Sequence, residues 1–567
     1  MGVDNAGAAS FMLSHIRQFS EPNDVLLKYT THIARYIGVG ETGLLVSTLR
    51  AQFDRDLDMQ YQAFLALQNG MEQRGKGVSG AGKEWAISLA ESFLEEIPGK
   101  DDWRVTPLSK AYKTNTWRYE AFEELGGKEV LIGSSQSQRN IHTSQLRSPA
   151  FSLPESLKFT LVGNKNAPAE GEKASPPANR IELFLDGGDT PELAKEIIIP
   201  DQVEEVSWDL TSLKGKRGYL VLTDASLERG EYIGIANLSS SVSLPSRSPQ
   251  MVAERQIFAC EVAGNFKVKS MTQSLITLLE SKNADVIARA AAAEALLLNA
   301  SGDVSIVGKV AVDFDEPQLL QRKLISTLGT VQLPESHAII AEVIDSLSFD
   351  IQKEAVLLMS NSSGGIEVVL NAASKMDISP KILLDPQIHE RLNVNMNNDQ
   401  RMVFASLTQN LTPFSEEVQQ LIDERIRNFT TKDVSVTIGK NIFQQNCAIC
   451  HQMGGQGGNI GPQLDGIGNW GLQSLSEKIL DPNRNISKAF VTYKIELNDG
   501  RVAQGLFRRE EGKVKVFADI SGNEFSYSSD EIKSMNVLPF TLMPDNFSNV
   551  ISEGDYYHLM SYLLSQN

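Results

Sequence analysis

The chain has 567 residues, too many for a single hydrophobic core, and an apolar content of 41% suits several folded domains of ordinary size. A formal charge of -18 argues against a nucleic-acid partner, which needs a basic face to neutralise phosphates, and against docking on anionic lipid. No apolar run reaches the roughly 18 residues that span a bilayer, so no transmembrane segment is expected.

Residues 1–98 carry apolar residues at a period of 3.6, as in Val25, Leu26, Tyr29, His32 and Ile33 and again in Trp85, Leu89, Phe93 and Leu94, which predicts paired antiparallel helices of a HEAT-like segment. Residues 100–250 change character. Short β-rich runs at Leu157–Val162, Arg180–Leu185 and Gly218–Thr223 alternate with turn residues, the pattern of a β-sandwich, and Gly163–Asn179 is expected as a mobile loop. From 265 to 430 the helical pattern returns. The Asp285–Leu298 segment, closed by Asn299 and Gly302, is almost free of breakers, and further breaks are expected near Asp315-Glu316-Pro317, Leu333-Pro334 and Ser363-Gly364-Gly365. That spacing fits a HEAT or armadillo-like array, read first as a scaffold and second as a concave partner-binding surface.

Residues 436–567 hold 11 Lys and Arg against 14 Asp and Glu, so most of the acidity lies elsewhere. A short helix over Val434–Asn446, with Gly439 and Phe443 on one face, leads into Cys447-Ala448-Ile449-Cys450-His451. Two thiols two residues apart, followed at once by an imidazole, is the spacing for covalent attachment of one c-type haem. Each cysteine adds across a vinyl group, and His451 is placed as the proximal iron ligand. A zinc site needs a second ligand pair, and the third cysteine, Cys260, lies far upstream, where a buried small hydrophobe is expected. A thioredoxin-like pair needs a βαβ context that this sequence lacks.

The glycine-rich loop 454–462 follows, with glycines that let backbone pass close over the porphyrin. Within it Gly461 stands beside Pro462, whose carbonyl is expected to accept the His451 Nδ1 proton; no lysine and Ser/Thr pair follows, so a phosphate loop is excluded. Ser474 and Glu477 have capping-box spacing ahead of a helix that stops before Pro482. Alternation in Val491, Tyr493, Ile495 and Leu497 predicts a small β insert over 491–533. In the last helix Ser552 and Asp555 form a cap, and Tyr556, Leu559, Met560 and Leu563 form an apolar stripe that is expected to cross the motif helix, with Phe443 against Tyr556 or Tyr562. The distal iron ligand is expected from Met543, 92 residues after His451, in Leu542-Met543-Pro544; Met453, Met535, Met560 and His558 compete, His558 being read as a solvated surface residue.

Gly439 with Phe443, Cys447–His451, Gly461–Gly468, Ile479–Asn483, the β insert and Leu542-Met543-Pro544 together resemble the haem-binding domain of Planctomycetes and Verrucomicrobia. The resemblance implies a cytochrome c module that ends a multidomain chain, often after a HEAT-like region and a propeller similar to pyrroloquinoline-quinone sugar dehydrogenases; no propeller pattern occurs in this chain. Leu146–Phe151, Val206–Leu210, Gly215-Lys216, Leu222–Asp224 and Tyr232–Gly234 resemble galactose-binding-like sandwiches, with Glu231-Tyr232 where a Trp-Gly pair is common.

The fold class expected is multidomain α+β: solenoid segments at 1–98 and 265–430, a sandwich at 100–250, and a C-terminal all-α cytochrome c domain at 436–567 with its β insert. The function expected is one-electron transfer with a redox partner protein, a dehydrogenase domain or an acceptor. The alternatives are a polysaccharide- or partner-binding scaffold with an ancillary haem, and a subunit of a quinone-dependent dehydrogenase. No independent catalytic site is recognised: the nucleophile-elbow, zinc-protease and dinucleotide motifs are absent. Met1-Gly2-Val3-Asp4 opens without a basic and an apolar region, so no signal peptide is visible. Haem attachment takes place outside the cytoplasm, and the chain is therefore expected to be periplasmic and truncated or part of a larger exported product.

Overall fold

Apolar residues three and four apart wind the first hundred residues into helices Ala6–Gln18, Asn23–Tyr36, Thr42–Gln52, Leu57–Gln73 and Ala81–Phe93. Leu26, Ile33, Trp85, Leu89 and Phe93 are buried on their inner faces. The computed structural model describes residues 5–566 except 100–101, 109–111, 134–141, 168–177, 189, 227, 240–241, 300–303, 314, 332, 410, 412–414, 430–433, 520–522 and 539. Helix and sheet are mixed, and the chain divides into two units, residues 1–303 and 304–567.

In the first unit two antiparallel sheets follow the helices. One has the order Arg104–Pro107, Ser144–Arg147, Arg217–Asp224, Arg180–Leu185, Leu193–Glu196, with Phe151–Ser152 also pairing to Arg217–Asp224; the other runs Arg118–Phe122, Lys128–Ile132, Tyr232–Ser239, Ser156–Asn164, Gln202–Asp209. The stretch 163–179 differs from the expected loop. Gly163 and Asn164 complete their strand opposite Ile233 and Tyr232, because a backbone without a side chain fits under Ile197 there; residues 168–177 lie outside the described residues. Glu231 is buried, and its carboxylate accepts from Lys165 Nζ at 3.2 Å and Ser226 Oγ at 2.7 Å, so this charged residue is a structural anchor.

The unit closes with helices Pro249–Phe266, Thr272–Glu280 and Val286–Leu298. Asp285 is the N-cap of the last: its Oδ1 accepts from the Ile287 amide at 2.8 Å, and Oδ2 accepts from the Tyr112 hydroxyl at 2.6 Å. Gly302, expected to close this helix, lies outside the described residues. Cys260 is buried, which pushes its thiol well above the ordinary range.

The second unit begins with helices Val304–Ala311, Gln318–Val331, Pro334–Val343, Phe349–Met359, Ser363–Ser374, Pro386–Asn395, Asn398–Thr408 and Glu416–Asn428. Next-but-one helices touch, Gln318–Val331 with Phe349–Met359 and Pro334–Val343 with Ser363–Ser374. The break expected near Ser363-Gly364-Gly365 falls at 360–362, and the next helix opens at Ser363, where Ser362 Oγ accepts from the Gly365 amide at 3.2 Å.

The motif helix, Val436–Asn446, crosses the closing helix, Glu553–Leu564. A Cβ on Gly439 would run into the His558 carbonyl oxygen and stand 2.8 Å from Tyr562 Cβ. Phe443 fills the contact against Tyr562, with ring centroids 5.6 Å apart. His558 is half-buried rather than solvated. Its Nδ1 accepts from the Ser435 amide at 2.9 Å and satisfies a donor at the motif helix N-terminus. Between them the third helix, Gly471–Leu480, starts before the expected cap, so that Ser474 and Glu477 are buried in its interior. A five-stranded antiparallel sheet over Thr492–Val537, slightly longer than expected, has the order Glu524–Ser528, Val514–Ala518, Val502–Glu511, Thr492–Leu497, Ile532–Val537.

Gly439→Ala is expected to destabilise this unit by about 2 kcal/mol, overpacking outweighing the gain in helix propensity. Urea unfolding followed by far-UV circular dichroism measures it, and a variant at least as stable as the parent would refute the tight crossing.

Candidate functional site

The motif helix ends at Asn446, and its last turn passes directly into the Cys-x-x-Cys-His loop. The amides of Cys447 and Ala448 donate to the Phe443 carbonyl at 2.8 and 2.9 Å, and those of Cys450 and His451 donate to the Cys447 carbonyl at 3.0 and 2.9 Å. These bonds bring both thiols and the imidazole to one edge of the turn. Burial pushes the Cys447 thiol up to about 12, with Cys450 beside it adding to the effect, and burial also raises Cys450.

His451 is fixed from behind. Its Nδ1 lies 2.9 Å from the Pro462 carbonyl oxygen, an atom that only accepts, so Nδ1 carries the proton and Nε2 keeps its lone pair. Burial lowers the proton affinity of the ring, against a smaller opposing effect of that hydrogen bond. Gly461 lies flat against the imidazole; a Cβ there would stand 2.6 Å from Cε1 and 2.8 Å from Nδ1.

The other loop glycines shape the loop and close it on the motif. Gln452–Met453 and Gln456–Gly457 pair as a short hairpin turned at Gly454 and Gly455, both with positive φ. Gly457 and Gly458 then press against the carbonyls of His451 and Ile449, so these two glycines serve the motif's own backbone. Gly458, Ile460 and Gly461 amides donate to Ala448 and Cys450 carbonyls, closing the loop onto the motif.

A cavity of about 370 Å³ opens in front of this turn. Cys447, Cys450, His451, Gly461, Pro462 and Met543 all line it, so the structure brings together every site residue read from the sequence. Met453 and Met560 are buried in the apolar core, Met535 packs against the core of the β insert, and His558 sits at the helix crossing; none of the four lines the cavity. The walls are largely apolar, with Phe443, Leu464, Trp470, Ile479 and Phe547 among them.

Sequence reasoning missed three contributors. Asn483 Oδ1 accepts from the Thr541 amide at 2.9 Å, and Thr541 Oγ1 faces the Met543 amide at 3.5 Å, so Asn483 pins the loop that carries Met543. It lies in the Ile479–Asn483 stretch that had been singled out, but its partner is 58 residues away. The β insert supplies Leu506 to the wall, and its Arg508 donates to the Asn459 carbonyl at 2.9 Å. Leu347 comes from the bend between helices Pro334–Val343 and Phe349–Met359, about a hundred residues before the motif, with no signal in its sequence.

The residues present suit a haem: two thiols at one edge of an apolar cavity, an imidazole with an available Nε2, and a thioether lining the same space. Among the described residues no cluster of His, Cys, Asp and Glu suited to a bare metal ion occurs, and no helix is long and apolar enough to cross a membrane. No curated protein matches the chain. The profile of the family described as Cytochrome c matches residues 436–508: the chain carries a cytochrome c domain, its Cys447 and Cys450 pair fits covalently bound haem c, and the domain supports electron transfer with a redox partner.

Proposed function

We propose that the C-terminal domain is a six-coordinate cytochrome c in which His451 and Met543 are the axial ligands and Cys447 and Cys450 form the thioethers. The observation that carries this reading is that Met543, alone among the candidate distal ligands, lines the cavity that the motif also lines. Bound haem supplies reversible one-electron chemistry at a potential that a thioether ligand raises. The chain's own residues orient and enclose it. Pro462 holds the imidazole through Nδ1, Gly461 leaves that ring its place, Asn483 holds the distal loop through Thr541, and the apolar walls exclude water. With both axial positions taken by protein, no position is left for substrate, so the domain relays electrons between a donor and an acceptor protein.

The finer assignments follow from likeness and topology. The domain is of the Planctomycetes and Verrucomicrobia type, spanning 436–567 with the insert included. The helices at 1–98 and 265–430 are HEAT-like spacers, the paired sheets at 100–250 a galactose-binding-like sandwich, and the electron donor a sugar or alcohol dehydrogenase module of an exported system. Thioether formation on the extracytoplasmic side places the working protein there.

The test is a pyridine haemochrome assay with absorption spectra on chain exported together with haem-maturation machinery. The parent is expected to carry one covalent haem with a low-spin reduced spectrum, and Met543→Ala to keep the covalent haem while turning high-spin. A low-spin Met543→Ala protein would assign the distal ligand elsewhere. Gly461→Ala, which crowds the imidazole, is expected to leave thioether attachment intact but to yield a mixed-spin spectrum; an unchanged spectrum would show that the ring tolerates a displaced loop.

A further inference from the structure

Three charged side chains line the cavity outside the axial and thioether chemistry, Asp345, Asp377 and Lys478, and of these Lys478 is the cation. Lys478 projects from helix Gly471–Leu480 into the cavity that Cys447, His451 and Met543 line. Its Nζ donates to the Asn485 carbonyl at 2.6 Å, and among the described residues no carboxylate is in ion-pair contact with it. The neighbouring acids are engaged elsewhere or stand off. Glu477 accepts from Gln473 at 3.2 Å and approaches Arg484 at 3.9 Å, Asp481 pairs with Arg484 at 3.1 Å, and Asp377 pairs with Lys488 at 3.6 Å. Asp345 lines the cavity, and the one imidazole there, His451, is bound to Pro462. Burial drags the Lys478 ammonium down to about 8, with Glu477 pulling the other way.

A half-buried ammonium whose hydrogen-bond partner is a lone carbonyl is costly unless an anion completes the site. Haem brings two carboxylates of its own, on flexible arms at the porphyrin edge. We propose that Lys478 is the counter-charge of a haem propionate, held in place by the Asn485 carbonyl, and that it tunes the reduction potential. The proposal rests on the reading that this cavity seats the haem, which the haemochrome assay tests independently of Lys478.

Loss of a positive charge from the cavity would favour the more positive, oxidised state of a bound haem. Lys478→Met keeps the stem and removes the charge, and is expected to make the reduction equilibrium roughly tenfold less favourable, about 59 mV for one electron. A propionate left without its ammonium gains affinity for protons, and more so in the reduced state. The Lys478→Met potential should therefore fall as pH rises through neutrality, where that of the parent stays level until the Lys478 ammonium itself titrates at higher pH. Lys478→Arg should keep the parent potential and profile.

Redox titration of holoprotein from pH 5 to 9, with spectra at each point, makes the test. A Lys478→Met protein with unchanged spectrum, potential and profile overturns the proposal. So does a Lys478→Arg protein that shifts as far as Lys478→Met, since charge is then not what matters. A change of spin state in Lys478→Met would make Lys478 an iron ligand instead, and a parent potential that moves when chloride replaces sulfate at constant ionic strength would make the partner a free anion. Should neither variant load haem, amine acetylation read by mass spectrometry decides. Lys478 protected in holoprotein but labelled in Cys447→Ala/Cys450→Ala chain supports the proposal, and equal labelling in both overturns it.

Discussion

The second unit depends on one close approach, that of the motif helix to the closing helix at Gly439. No side chain separates the Gly439 backbone from the His558 carbonyl, and this proximity sets how far the motif helix lies from its partner. Phe443 then meets Tyr562, and Cys447 leaves the helix C-terminus at a fixed height above the core. The crossing is locked one turn earlier by the Ser435 amide on Nδ1 of the same His558, and the third helix is tied in by the Tyr556 hydroxyl on Ser476 Oγ at 2.6 Å. Buried without a partner, each of these polar groups would cost free energy, so the bonds also specify which helix faces pair.

The two sides of the cavity are built by different means. The motif side is local: consecutive amides fold back on carbonyls three to five residues earlier, and the glycine loop closes onto the same turn. The Met543 side is long-range, a loop between a strand and a short helix that one asparagine reaches across 58 residues to hold. Such a division suits an electron carrier. Groups already held in place need little rearrangement when charge changes, and the environment of the iron is then set by fixed dipoles and apolar walls.

The surrounding segments contribute more than support. Leu347 from the bend between two upstream helices and Leu506 from the β insert complete the walls, and Arg484 links three segments of the unit by pairing with Asp481, donating to Gln419 at 2.6 Å and lying over Phe349. A cavity walled in this way has a low dielectric constant, which magnifies the effect of any charge left inside it. Lys478 is such a charge.

The sequence by itself determined the attachment chemistry, because two thiols and an imidazole at that spacing need only one turn of backbone to converge. It also carried the helices and strands whose apolar periods are regular, Arg180–Leu185 and the final helix among them, and the Pro462 carbonyl, eleven residues from His451, stands within reach of local reasoning. Tertiary structure alone decided what lies opposite. Packing chose Tyr562 over Tyr556 for Phe443, drew His558 from solvent into a cap, and moved Ser474 and Glu477 from a helix start to its buried interior. Asn483, Leu347 and Lys478 gained their places through partners or walls distant in sequence, and no local pattern encodes such a meeting, since it arises only when the chain has closed on itself.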